Sequence, residues 1–167
     1  HRWKHVALAC VAANILILIV LQSYPSLLKT LNVEPTTKNN PYDRVDGWKE
    51  VIQKAQAIIS VPDDSLVLSN NRLVLSYMVL YNDLAISRLA AWNSDNKIDN
   101  HFELVADLAD KTLEQIDGRT IYFVSRYELS PKILERFTNK KILSIVREPV
   151  YVDLERVLYI YRLSGFK

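Results

Sequence analysis

Residues 6–21 read VALACVAANILILIVL, and the first charge after them is Lys29. A helix needs about 20 mostly apolar residues to cross a bilayer core of about 30 Å. Trp3 and Tyr24 stand near the two ends of this stretch, where aromatic rings favour the headgroup level. The sequence therefore predicts a transmembrane helix with a basic flank over residues 1–28.

Two other interpretations of this stretch remain open, a cleaved secretory signal and the buried helix of a soluble protein. A signal peptide has a shorter apolar centre and ends at a small-residue cleavage site, and residues 22–26 offer no convincing site. Arg2 and Lys4 precede the helix, and positive flanks tend to stay in the cytoplasm. We therefore expect the polar part of the chain to be extracytoplasmic, in the periplasm or outside.

Two details predict further spans upstream in a longer protein. The chain starts with His1 rather than Met. Asn14 lies in the middle of the apolar stretch, where a polar side chain usually contacts a neighbouring helix.

Composition excludes several classes of function. Without Arg2 and Lys4, basic and acidic residues number 19 each, so no basic face indicates a nucleic-acid partner. Cys10 is the only cysteine and lies in the apolar stretch, so an intrachain disulfide and a thiolate metal site are excluded. The three glycines are too few and too far apart for a nucleotide-binding loop.

Residues 29–42 contain Pro35 and Pro41 and are predicted to form a juxtamembrane linker. Residues 43–167 are predicted to form one extracytoplasmic domain. Hydrophobic periodicity predicts helices over 43–60, 71–81, 102–116 and 130–137, and strands over 65–69, 86–92, 120–124, 141–146 (ended by Pro149) and 157–163. This order predicts an α/β sandwich with a mainly parallel sheet. No helix separates the last two strands, which predicts an antiparallel edge.

No catalytic constellation and no metal site is predicted. His101 stands alone on a loop, and the oxygen-rich loop 95–100 lacks the spacing of a calcium loop. The pair Asp63-Asp64 is interpreted as a turn, and Asp107 with Asp110 as the wet face of a helix.

The stretch PYDRVDGW, residues 41–48, resembles a segment of the membrane glycosyltransferases related to protein O-mannosyltransferases and lipid A aminoarabinose transferases. In that family a Gly-Trp pair opens a helix after the last transmembrane span. Three later stretches resemble, in order, the family's first strand, its tyrosine-bearing helix and a later strand. They are SLVLSNNR (65–72), LVLSYMVLY (73–81) and GRTIYFV (118–124).

The resemblance implies a multi-span enzyme that moves a sugar from a polyprenyl-phosphate donor to a lipid or protein acceptor. The partners it implies are the lipid bilayer, upstream transmembrane helices of the same protein and the polyprenyl-phosphate sugar. The acidic catalytic residue of such enzymes lies on an early outer loop, often with a divalent metal. No catalytic residue and no cofactor is therefore assigned to this chain.

The candidate contacts to substrate or lipid phosphate are Asp43, Arg44 and Trp48, with Gly47 beside them. Arg44 could bind a phosphate of the lipid carrier, and Trp48 could cover a cleft. The competing interpretations are Arg44 as a headgroup anchor or surface charge and Trp48 as a core residue. The alternative function is a single-pass, membrane-anchored domain that binds a partner without catalysis.

Overall fold

The structure is a computed structural model that describes residues 2–59, 65–82, 84–93, 97–107 and 119–167. The chain divides into two compact units. The first comprises residues 1–45 and 150–154, and the second comprises residues 46–149 and 155–167. The single domain predicted over residues 43–167 is therefore not confirmed.

The first unit is dominated by helix α1, Arg2–Thr30. At about 1.5 Å per residue, its 29 residues exceed the thickness of a bilayer core of about 30 Å. None of its most apolar window is buried, so by length and composition this helix could cross a membrane. The side-chain amide of Asn14 donates to the carbonyl of Cys10 at 2.8 Å. This donor therefore has a partner within its own helix.

Pro25 lies inside α1, which continues to Thr30. Proline has no N–H, so the carbonyl of Leu21, four residues earlier, loses its helical partner. The hydroxyl of Tyr42 donates to this carbonyl at 2.8 Å. The linker thus supplies the hydrogen bond that proline removes, and the helix passes through Pro25.

The linker also binds the strand turn at 150–154. Thr37 donates its backbone N–H, at 3.0 Å, and its hydroxyl, at 2.7 Å, to the carboxylate of Asp153. The amide of Asn40 donates to the hydroxyl of Tyr151 at 2.6 Å. These bonds join segments more than 100 residues apart in sequence within the first unit.

The second unit contains a five-stranded sheet in the order β2-β1-β3-β5-β4. Its described elements are α2 Trp48–Ile58, β1 Leu66–Ser69, α3 Arg72–Asn82, a 3₁₀ turn Ile86–Arg88, β2 Leu89–Ala91, α4 His101–Val105, β3 Ile121–Ser125, α5 Pro131–Leu134, β4 Phe137–Tyr151 and β5 Leu154–Phe166. The turn of the β4–β5 hairpin belongs to the first unit. β1 pairs in parallel with β2 and β3, whereas β3 pairs antiparallel with β5. The α/β class is confirmed, but the sheet is mixed because the long β4–β5 hairpin forms two of its five strands.

The sheet is covered on both faces. β1 and β3 are buried throughout, as expected for strands packed on both sides. Val67 and Val124 face a core that α2 and α3 complete, and Leu66 and Phe123 face a second core on the opposite side that includes side chains of α5.

Several predicted boundaries are wrong, each for a physical reason. α2 begins at Trp48 rather than residue 43, because Gly47 has a left-handed φ of 77°. The helix predicted over 130–137 ends at Leu134, and β4 begins at Phe137. β4 continues through Pro149, which an edge strand tolerates because its outward N–H groups need no partner.

The helix predicted over 102–116 is interrupted after Val105, and residues 108–116 lie outside the described residues. Ala106 leaves the helical conformation, and Asp107 forms a parallel bridge with Ala91. Asp107 is buried and accepts a hydrogen bond from the amide of Asn93 at 3.1 Å, so it does not lie on a wet helix face. Asp110, the pair 63–64 and residues 95–96 lie outside the described residues.

Candidate functional site

The candidate site lies at the carboxyl end of β3, beside the start of β5. β1 leads into α3 on one face of the sheet, and β3 leads towards α5 on the other. In α/β sheets, ligands bind in the crevice where neighbouring connections diverge in this way. The hydroxyl of Ser125, the last residue of β3, donates to the side-chain oxygen of Asn70 at 3.2 Å. This bond joins the end of β3 to the loop after β1.

Trp48, the first residue of α2, lies close to two arginines. The guanidinium carbon of Arg126, directly after β3, lies 5.5 Å from the centroid of its ring. That of Arg156, on β5, lies at 5.1 Å. Arg156 is itself buried, and its Nε donates to the backbone carbonyl of Asp46 at 3.1 Å. Two cations therefore converge on one aromatic ring.

A row of aromatic rings holds Trp48 in place. Its ring stacks on Tyr77 of α3 with centroids 5.1 Å apart. Tyr77 stacks in turn on Tyr81, one helical turn later, at 5.6 Å. Trp48 is only 1% exposed, so its ring is part of the core as well as a wall of the site.

These residues enclose a small cavity of about 150 Å³. Its lining consists of Trp48, Arg126, Tyr127, Glu155, Arg156 and Val157. The carboxylate of Glu155 accepts a hydrogen bond from Nη1 of Arg147 at 2.6 Å. In the part of the chain that the structure describes, Arg126 has aromatic rings as partners and no carboxylate. An aromatic wall with guanidinium groups suits a ligand that carries a sugar or a phosphate.

The three predicted site residues are divided between the two units. Asp43 and Arg44 belong to the first unit, whereas Trp48 belongs to the second. Asp43 is half-buried in a turn, where its N–H donates to the carbonyl of Asn40, and Arg44 is exposed. Trp48 is the predicted residue that lines the cavity.

Sequence reasoning missed Arg126 and Arg156. Arg126 directly follows a strand, and the carboxyl end of a strand is where α/β proteins place functional side chains, so this signal was available. Arg156 precedes the strand predicted over 157–163, and no local pattern marks it. Its position at the site depends on the pairing of β5 with β3.

Two other polar features occur among the described residues. Asn100 accepts hydrogen bonds from the N–H groups of Phe102 and Glu103, so it caps α4. No group of three potential metal ligands occurs among the residues described.

An open, basic depression of about 460 Å³ lies near the start of β3. Its lining is Thr120, Thr138, Asn139, Lys140, Lys141, Arg162 and Ser164.

Comparisons with protein-family models, curated proteins and solved structures find no match to this chain. Its function must therefore be inferred from α1 and from the site beside Trp48.

Proposed function

We propose that the chain is the C-terminal portion of an integral membrane glycosyltransferase that moves a sugar from a polyprenyl-phosphate donor to a lipid or protein acceptor. Its catalytic residues lie upstream of this portion, where a divalent metal could assist them. The observation that carries the proposal is the exposed apolar surface of α1, in a chain whose α/β unit has an aromatic and cationic cavity.

The apolar surface of α1 supports a membrane location. Between Val6 and Ile19 the large apolar side chains are more than half exposed, including Leu16 and Leu18. A soluble protein rarely exposes a continuous apolar surface of this extent, because such surface drives association with membranes or partners. A lipid-linked donor would be encountered at such a membrane.

The cavity supports the choice of a donor that carries a phosphate. Arg126 offers donors for phosphate oxygens, and its guanidinium lies against the ring of Trp48. In this proposal the α/β unit shapes the extracytoplasmic side of a site whose reacting groups lie elsewhere. Arg44, on the segment that follows α1, is a further candidate contact to the lipid phosphate.

The proposal is tested by transfer from a labelled polyprenyl-phosphate sugar in membranes that contain the full-length protein. We expect transfer by the wild type and reduced transfer by Trp48→Phe and Arg44→Ala. Phe is chosen because Trp48 is buried and Ala would leave a large cavity. Arg162→Ala, which removes an exposed arginine far from β3's carboxyl end, is the matched control.

The outcomes separate the two parts of the proposal. Undiminished turnover in both variants would remove residues 44–48 from the site and leave the transferase assignment standing. No transfer to lipid or protein acceptors by membrane-integrated protein would overturn that assignment. It would favour the non-catalytic binding domain.

A further inference from the structure

We infer that Arg126 and Arg156, held against Trp48, form a phosphate-binding site at the carboxyl end of β3. The inference depends on the proposed function in one respect only. That function would make the polyprenyl-phosphate carrier the source of the phosphate group. The chemistry recognised is that of a phosphate group, whether free or attached to a lipid.

Arg156 is fixed before any ligand binds. Its hydrogen bond to the carbonyl of Asp46 and its position 5.1 Å from the centroid of the Trp48 ring orient the guanidinium. A guanidinium presents its N–H groups in a planar fork that matches two phosphate oxygens. A cation already immobilised by packing loses little side-chain freedom on binding, so more of the interaction appears as affinity.

Arg126 completes the site from the loop after β3. Its guanidinium contacts the rings of Trp48 and Tyr127 at 5.5 and 5.8 Å, and no described carboxylate binds it. Two cations close to one ring repel each other, and a phosphate beside both would offset that repulsion. A guanidinium binds a phosphate more strongly than it binds an aromatic ring. Arg126 can therefore leave its ring contacts to bind a phosphate.

The charges and the space around the cavity are consistent with an anion. Glu155, the one carboxylate among the lining residues that the structure describes, binds Arg147. The cavity volume of about 150 Å³ is well above the roughly 10–15 Å³ that one water molecule needs, so it has room for a phosphate group.

The basic depression near the start of β3 is a weaker candidate and provides the control. Its cations, Lys140, Lys141 and Arg162, are exposed, and none is held by an aromatic ring. It therefore attracts anions by its charge, but none of its donors is held in position before an anion binds. Arg162→Gln, on β5, removes the same charge as Arg126→Gln but leaves the Trp48 cavity intact.

The experiment measures binding by isothermal titration calorimetry with the full chain in detergent micelles. The probes are inorganic phosphate and a short polyprenyl phosphate, with the unphosphorylated polyprenol as reference. We expect both phosphates to bind and Arg126→Gln to weaken each by about tenfold, the loss expected for one charged hydrogen bond. Arg162→Gln should leave both affinities within about twofold of the wild type, because exposed charges contribute little.

Arg126→Gln is suited to this test because no described carboxylate loses its partner when the charge is removed. Near-UV circular dichroism verifies that the variant retains its fold. If inorganic phosphate binds in an Arg126-dependent way and the polyprenyl phosphate binds no better than the polyprenol, the phosphate site stands and the lipid carrier is rejected. If neither phosphate binds, or if both variants weaken binding equally, the inference is overturned. Sugar transfer in the membrane assay is measured independently, so its failure would leave the binding result intact.

Discussion

At the scale of single residues, side chains of the linker replace hydrogen bonds that the backbone lacks. Pro25 removes a donor from α1, and the hydroxyl of Tyr42 supplies one to Leu21. An unpaired carbonyl is costly wherever water is scarce, and the end of α1 would be such a place if this helix crosses a bilayer. The polar residues of the linker therefore have specific roles, although their composition alone indicates only an irregular segment.

Asp153 provides a pH-dependent prediction at this scale. The hydroxyl of Thr37, followed by its N–H, holds the pKa of this carboxyl below its ordinary value of 3.8. Because these bonds favour the charged form, any stability they contribute is fully present above pH 3.8 and is lost as the pH falls through the lowered pKa. Thr37→Ala removes the hydroxyl bond, so we expect the pKa of Asp153 to rise towards 3.8.

The pKa is measured by a carbon-13 NMR titration of the Asp153 carboxyl. Thr36→Ala is the matched control, because it deletes a hydroxyl beside Thr37 that makes no hydrogen bond to Asp153. A pKa that is the same in the wild type and Thr37→Ala would contradict this account.

At the scale of elements, α2 is attached to the sheet by one apolar face. Val51, Ile52 and Ala55 are fully buried, whereas Gln53 and Lys54 are exposed. Most of the stability of such a helix comes from packing this face, because helices this short are marginal alone in water.

Ile52→Ala and Gln53→Ala should therefore differ sharply. The first opens a cavity in the core and should lower the free energy of unfolding by about 2–5 kcal/mol. The second changes an exposed side chain and should stay within about 0.5 kcal/mol of the wild type. Urea unfolding followed by tryptophan fluorescence measures both. Equal effects would mean that α2 is not docked through this face.

The accuracy of sequence-based prediction also depends on the element. The strands predicted at 65–69 and 120–124 match β1 and β3 to within one residue, because buried strands between turn residues have a local signature. The strand predicted to end before Pro149 extends through it, since tolerance of proline depends on being at the sheet edge. Periodicity cannot reveal that position.

The same limit applies to the site. Trp48 is predictable because it adjoins Gly47, a local feature, and the φ of 77° at Gly47 explains why the helix begins there. Arg126 and Arg156 lie on separate segments that are brought together by the antiparallel pairing of β3 with β5. A convergence created by sheet register has no signature within either segment.

At the scale of the whole molecule, the single cysteine provides a test of whether α1 crosses a membrane. Cys10 lies on the exposed surface of α1 and is the only thiol in the chain. If α1 spans a bilayer, lipid covers this thiol. We expect a water-soluble maleimide to leave it unmodified in vesicles made permeable to the reagent, and to modify it after the bilayer is dissolved in sodium dodecyl sulfate.

The control carries its thiol on the polar part of the chain. In Cys10→Ser combined with Lys97→Cys, the introduced thiol takes the place of an exposed side chain and should react without detergent. Modification of Cys10 in intact bilayers as fast as that of the introduced thiol in this variant would exclude a membrane-spanning α1.

Residues 150–154 belong to the first unit, although the chain on both sides of them belongs to the second. A gene cut after the codon for Val45 would therefore yield a first unit without Tyr151 and Asp153. It would also yield an α/β unit whose strand turn has lost Asn40 and Thr37 as partners. A single genetic crossover cannot exchange either unit intact. Recombinant versions of either unit therefore need a graft at two points in the chain.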